Sequence, residues 1–367
     1  MSLNTWKERA LSLAEKLDLF QAAYRSSWRS DRLLILAYHG ISLSDEHNWN
    51  PQLYMSAEQL ATRFQRMKSD GCNVLPLDEA IRRMYDGTLP ERSVALTFDD
   101  GFHDFYARAL PVLQQFAFPA TLYLTTYYAD REMPVFPLIC GYVGWRARGG
   151  EYKAWQDKRL PAQLDLRTPA SRAALVSHLH RFADQATLSA EERDSLAAQL
   201  ANYAGVDYEE IRHKRILHLL NRAEVRSVAD AGIQVEMHTH RHRSPTERDS
   251  FVRELSQNAA SIERLTSREP AHFCYPSGVH WPQHLPWLRE LRILSGVTCR
   301  PGLASPSQDP LLLPRVVDGS QLSALEFQAW LSGAAALFPR RTRKEFIAEN
   351  GIAQATDFQN IAVPHQV

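Results

Sequence analysis

Ser93-Val94-Ala95-Leu96-Thr97-Phe98-Asp99-Asp100-Gly101-Phe102 decides how the rest of the chain is read. Its first half is an apolar run ended by a turn signal, the pattern of a buried strand. Two adjacent carboxylates then fall where that strand stops. Side by side they repel each other and lose water, a cost that is tolerated when one of them meets a cation. By itself Asp-Asp-Gly also reads as a helix N-cap pair beside Gly101. A second stretch shifts the reading: Gly232-Ile233-Gln234-Val235-Glu236-Met237 has the pattern of another strand and runs into His238-Thr239-His240-Arg241-His242. One carboxylate and two imidazoles are a common ligand set for a catalytic zinc-like ion, with a position left open for water.

Strand and helix signals alternate around these two stretches. Leu33 to Tyr38 is an apolar run that delivers His39-Gly40, and Ser56 with Gln59 starts a helix that ends near Gly71. A short strand at 73–75, a helix ending at Gly87, the Asp99 strand, a helix disturbed by Pro111 and a strand at 120–124 follow. The rhythm breaks over 131–215, where Thr168-Pro169 and Ser189 with Glu192 open helices. It resumes with a helix capped by Asn221 and Glu224, the His238 strand, a long helix through Phe251, Leu255 and Ile262, and strands near 275, 296–299 and 313–317. Such alternation predicts a parallel α/β sheet or barrel, whose C-terminal strand rim carries the active site. The expected division is an amphipathic helix at 1–32, a barrel from 33–130 and 216–338, a mostly helical insertion at 131–215 and a tail at 339–367.

Composition bounds the function. With 42 Lys+Arg against 42 Asp+Glu, no global field favours nucleic acid. Cys72, Cys140, Cys274 and Cys299 form no close-spaced pair, which suggests free thiols rather than a disulfide framework. No apolar run approaches the ~20 residues of a membrane span, and no signal-peptide pattern is seen, so a cytoplasmic location is expected. Thr5 with Glu8 reads as a capping box. Leu13, Leu17, Phe20 and Tyr24 then recur at helical spacing near Lys16, Arg25 and Arg29, which leaves peripheral membrane contact through this helix as a second expectation.

Thr97-Phe98-Asp99-Asp100-Gly101 and His238-Thr239-His240-Arg241-His242 resemble, in this order and each after a strand, the first two motifs of the polysaccharide deacetylase family, carbohydrate esterase family 4. Phe273-Cys274-Tyr275-Pro276-Ser277-Gly278 resembles its third. Tyr38-His39 resembles an early motif of the subgroup that deacetylates poly-N-acetylglucosamine. The resemblance covers roughly 33–130 and 216–320. It implies a distorted (β/α)7 barrel and a carbohydrate de-N-acetylase, a hydrolase of non-peptide carbon–nitrogen bonds. Its partner would be an acetylated amino-sugar polymer or oligomer.

The resemblance also implies roles. Asp100, His238 and His242 would hold one divalent ion, zinc first, with cobalt, nickel or iron as alternatives. Asp99 would be the base and His39 the acid, since the late Leu-x-x-His of many members is missing. The Tyr275 backbone N–H would face the oxyanion. Cys274 stands where many members carry an arginine that orients the base. Arg315, beside Pro314, could reach that carboxylate from another strand end, or lie on the surface. In a continued strand His238, His240 and His242 would face one way; in a turn only the outer pair converges, and Arg243-Ser244-Pro245 signals a turn. Trp49, Tyr275 and Trp281 are available to stack on a sugar ring. Two other functions remain at this stage: the same metal site acting on a small cyclic amide, and a non-catalytic glycan-binding module.

Overall fold

The computed structural model describes residues 3–129, 133–152 and 164–337, so the expected tail at 339–367 lies outside the described residues. The centre is a curled, all-parallel sheet. Its strands run in the spatial order Ser295–Val297, His272–Cys274, Gln234–Met237, Thr121–Leu124, Ser93–Phe98, Leu34–Tyr38 and Val316–Val317, and Asn73–Val74 pairs beside the start of Ser93–Phe98. A parallel bridge between Val297 and Leu313 joins the two ends, so the sheet closes on itself as a distorted barrel.

Both faces of the sheet are covered, which is why its strands read as unbroken apolar runs. Leu34, Leu36, Val94, Leu96, Phe98, Leu122, Val235 and Met237 point outward into the helices. Alternate residues Ile35, Ala95, Tyr123, Cys274 and Val297 point inward. The helix starts follow their side chains. Ser56, Thr168, Ser189, Asn221 and Ser323 each accept a bond from a backbone N–H of the first turn. Pro111 acts as expected. It cannot donate to the preceding turn, and Phe105–Ala109 winds as a π-helix before the α-helix Leu110–Phe116.

The amino-terminal residues form three helices, Leu3–Lys16, Leu19–Tyr24 and Ser27–Ser30, where the spacing pointed to one. The first starts before Thr5, so Thr5 is an interior residue and not a cap. Leu11, Ala14, Phe20 and Tyr24 join the main core, while Leu13, Leu17 and Leu19 are exposed. No helix among the described residues is long and apolar enough to cross a membrane.

Arg29 fastens this segment to the barrel. Fully buried, it donates to the carbonyls of Leu331, Arg32 and Ser93 at 3.2, 2.6 and 3.3 Å. An orphaned buried acceptor costs about 1–3 kcal/mol. Arg29→Met should therefore lower unfolding stability by about 2–4 kcal/mol in urea, a loss that a surface residue of the same kind would not produce.

Residues 133–152 and 164–215 carry the helices Phe136–Arg146, Pro169–Gln185, Ala190–Tyr203 and Tyr208–His213, with a short Glu151–Tyr152/Leu164–Asp165 pairing. They pack around their own apolar cluster, which includes Leu138, Ile139, Leu179, Leu196 and Leu200. The carboxy-terminal end roots on the loop after the Asp99 strand, and the amino-terminal end pairs with the carboxy-terminal one. Phe102 bridges Leu219, Pro134 bridges His218, and Leu220 N–H donates to the Gly101 carbonyl at 2.8 Å.

Candidate metal and acid–base site

Asp99 and Asp100 directly follow the Ser93–Phe98 strand, and Asp100 takes a left-handed backbone, φ 72. This region is uncommon for a residue with a Cβ, and Asp tolerates it better than most. Gly101 follows with φ 84, and a Cβ there would meet Leu124 Cδ1 at 2.4 Å. After Met237 the chain turns through positive φ at Thr239 (60) and at His242 (55). The turn brings the two outer imidazoles together, with ring centres 4.8 Å apart. His240 turns away: its Nδ1 lies 2.9 Å from Thr126 Oγ1.

Nε2 of His238 and Nε2 of His242 each stand 3.2 Å from the same oxygen, Asp100 Oδ1. That oxygen is buried and takes part in no hydrogen bond. His238 Nδ1 lies 2.8 Å from the Cys274 carbonyl, which can only accept, so the ring proton sits on Nδ1 and Nε2 presents its lone pair. Two imidazole nitrogens and a carboxylate oxygen thus lie within 4.8 Å of one another, an arrangement that a cation between them would satisfy. Two imidazoles and a carboxylate suit a divalent ion of the zinc type.

Asp99 is held differently. Arg315, fully buried, donates Nη1 to Asp99 Oδ1 at 2.8 Å and Nη2 to Oδ2 at 2.7 Å, a two-pronged pair. Its remaining donors go to the Thr298 carbonyl, Thr97 Oγ1 and Cys274 Sγ. Burial pushes the Asp99 carboxyl up, but the charge and hydrogen bonds of Arg315, with His39 and His238 nearby, outweigh it and hold the group below the usual carboxylate range. Arg315 is therefore the residue that orients Asp99, as the sequence left open, and its burial removes it from direct substrate contact. Cys274 Sγ sits 3.0 Å from Arg315 Nη2 and 3.5 Å from Asp99 Oδ2. Burial raises its thiol well above the ordinary value, so it is a neutral wall of the site and not a nucleophile. Asp99, His238 and Cys274 also place donor atoms within 4.8 Å of one another, but a cation there would stand against the guanidinium.

His39 lies on the other side of Asp99, its Nε2 3.7 Å from Oδ2. Its Nδ1 is buried and makes no hydrogen bond. Burial lowers its pKa, against the pull of Asp99 and Asp100. The expectation for Tyr275 needs correction. Its N–H donates to the Val297 carbonyl at 3.2 Å as a rung of the sheet, so it does not stand open toward an oxyanion. Its ring is fully buried against Phe273 and His284. Trp49 is likewise packed, on Tyr54 and Tyr142, so of the three aromatics considered for a sugar ring only Trp281 is partly exposed.

The sequence reading missed Glu254 and Asn258. The signal was present: both fall on the apolar stripe of Phe251, Leu255 and Ile262, where a polar residue is out of place unless it has buried partners.

A family model described as polysaccharide deacetylase matches residues 86–293. A stretch of 97 residues is 33% identical to the poly-beta-1,6-N-acetyl-D-glucosamine N-deacetylase of Escherichia coli K12, covering 25% of this chain and 14% of that protein. Another of 78 residues is 31% identical to the Staphylococcus aureus N315 protein described in the same words, covering 21% of this chain and 27% of the relative. The aligned part thus spans a minor share of each relative. Among solved structures, the Streptococcus pyogenes deacetylase PplD in complex with acetate superposes with a TM-score of 0.53 at 19% identity, covering 80% of this chain and 96% of that one. IcaB from Ammonifex degensii gives 0.51 at 17% identity, covering 83% and 98%. These two likenesses establish the curled-sheet fold.

Proposed function

The chain belongs to the polysaccharide deacetylase family, and from that premise we propose that it removes N-acetyl groups from a GlcNAc-type polysaccharide or oligosaccharide, using one divalent ion held by Asp100, His238 and His242. One observation carries the reading. At the same strand-end rim, a carboxylate kept ionised by Arg315 stands beside three converging ligand atoms of a second carboxylate and two imidazoles. The names of the relatives point to poly-β-1,6-N-acetylglucosamine as the first polymer to try.

Amide hydrolysis needs an activated water, a stabilised oxyanion and a proton for the departing amine. A bound divalent ion of the zinc type would supply a water of lowered pKa and polarise the acetyl carbonyl. Asp99 accepts the proton of the attacking water. Arg315 fixes both carboxylate oxygens and leaves Asp99 free of repulsion from Asp100. His39, 3.7 Å from Asp99, donates to the leaving amine; burial lowers its pKa, and the charges of Asp99 and Asp100 pull the other way, toward the protonated ring that this role needs. Acetate release from poly-β-1,6-N-acetylglucosamine and from chito-oligosaccharides, by protein loaded with Zn²⁺ or Co²⁺, tests the activity. The absence of acetate from both, with metal bound, would remove it.

The role of His39 has its own signature. His39→Ala should bind metal normally and lose ~10²–10⁴-fold in rate on N-acetyl sugars. An activated acetate ester, whose leaving group needs no proton, should lose far less. Equal losses on ester and amide would make His39 a residue that shapes the site instead.

A further inference from the structure

The helix Arg248–Thr266 runs behind the histidine loop with Glu254 and Asn258 one turn apart on its buried face. Asn258 is fully buried. Its Oδ1 accepts from His238 N–H at 2.9 Å, and its Nδ2 donates to the Leu124 carbonyl at 3.0 Å and to Thr126 Oγ1 at 2.9 Å. The His238 N–H can only donate and the Leu124 carbonyl can only accept, so these two partners fix the orientation of the amide.

The placement has a geometric meaning. The Thr121–Leu124 and Gln234–Met237 strands are parallel neighbours, and Gln234 N–H donates to the Ala120 carbonyl at 3.1 Å. Rungs of a parallel ladder repeat every two residues. Two repeats on, the next rung would join His238 N–H directly to the Leu124 carbonyl. The Asn258 amide occupies that rung: it accepts from the first group and donates to the second. The strands are thereby parted at their C-terminal ends, where His238 begins. Glu254 continues the same support. Its carbonyl accepts from His240 N–H at 3.2 Å and its Oε2 from Arg241 N–H at 2.7 Å. Thr126, bound to Asn258, also reaches His240 Nδ1.

We propose that Asn258 is a positioning residue that sets metal affinity, by wedging the two strands apart and holding the 238–242 loop in the turn that pairs His238 with His242. Without the wedge, direct pairing of His238 with Leu124 extends the strand and turns His240 toward the face of its neighbours. The inference rests on the metal reading above.

The test measures Zn²⁺ affinity by competition with a chromophoric chelator, and the Co²⁺ absorption spectrum, in the full chain. Changing a residue that supports metal ligands typically costs 10–100-fold in affinity. Asn258→Leu, which keeps the shape and removes the amide, should weaken Zn²⁺ by about that factor and alter the Co²⁺ bands. Asn258→Asp, which keeps the acceptor for His238 N–H, should lose less. Ile262→Ala, a buried truncation on the same helix, should lower stability and leave affinity and spectrum unchanged. A wild-type affinity and spectrum in Asn258→Leu would overturn the inference. So would an Ile262→Ala protein whose affinity falls as far. Should Asn258→Leu not fold, an unchanged affinity in Asn258→Asp overturns it as well. Wild-type protein that takes up neither ion would instead defeat the metal reading itself.

Discussion

Asp99→Asn is expected to lower N-acetyl hydrolysis by at least ~10²–10⁴-fold, the span typical of a lost general base. The amide keeps the shape but cannot take the proton of the attacking water. Metal content should stay at the wild-type level, because Asp99 is not among the three atoms that converge on the ion site. Stability should fall too. Arg315 has no exposed surface, and without its carboxylate it becomes a buried charge bonded only to neutral groups. Breaking a buried ion pair from one side costs about 3–5 kcal/mol. Arg315→Met in the Asp99→Asn background should recover part of that loss, since the stranded charge goes with it. The pH dependence has a definite sign. The folded pKa of Asp99 is depressed, so the pair stabilises above the unfolded value of about 3.9 and the stabilisation is lost as pH falls through the lower folded value. The gap in unfolding free energy between wild type and Asp99→Asn should be full at neutral pH and narrow below about pH 4. A variant with activity within a few-fold of wild type would take the base role from Asp99.

His238→Ala is expected to abolish stoichiometric binding of a divalent ion and, with it, turnover. Its Nε2 is one of two imidazole nitrogens 3.2 Å from Asp100 Oδ1, and the Cys274 carbonyl fixes its tautomer. With one nitrogen gone, two donors remain, too few to hold a zinc-type ion against water. His240→Ala is the matched control. Its Nδ1 is engaged by Thr126 on the far side of the turn, so metal should be retained. Elemental analysis of wild type and of His238→Ala, His240→Ala and His242→Ala after metal loading and gel filtration decides the matter. Equal metal in wild type and His238→Ala would remove the site, and loss in His240→Ala with retention in His242→Ala would reverse the turn.

Much of the arrangement was legible in the chain because it depends on short-range chemistry. Two-faced burial writes continuous apolar runs into the strands, and caps such as Ser56, Ser189 and Asn221 write the helix starts. A charged pair at a strand's end marks the rim, whichever way the sheet curls. These features need only neighbouring residues, so the Asp99-Asp100 pair and the 238–242 histidine cluster stood out in the chain, and resemblance to the deacetylase motifs pointed to the outer histidines. What the sequence could not decide were meetings between distant strands. Whether Arg315 faced solvent or Asp99 depended on the Val297–Leu313 bridge that closes the sheet and brings the Val316–Val317 strand beside Leu34–Tyr38. The Tyr275 N–H was lost to the Ser295–Val297 strand for the same kind of reason: a backbone donor goes to whichever carbonyl the register places opposite it. The split between His238, His240 and His242 turned on two positive φ angles at ordinary residues. Asn258 belongs with these. Twenty residues beyond His238 in the chain, it enters the site only because a packed helix lays its amide across the gap between two strands.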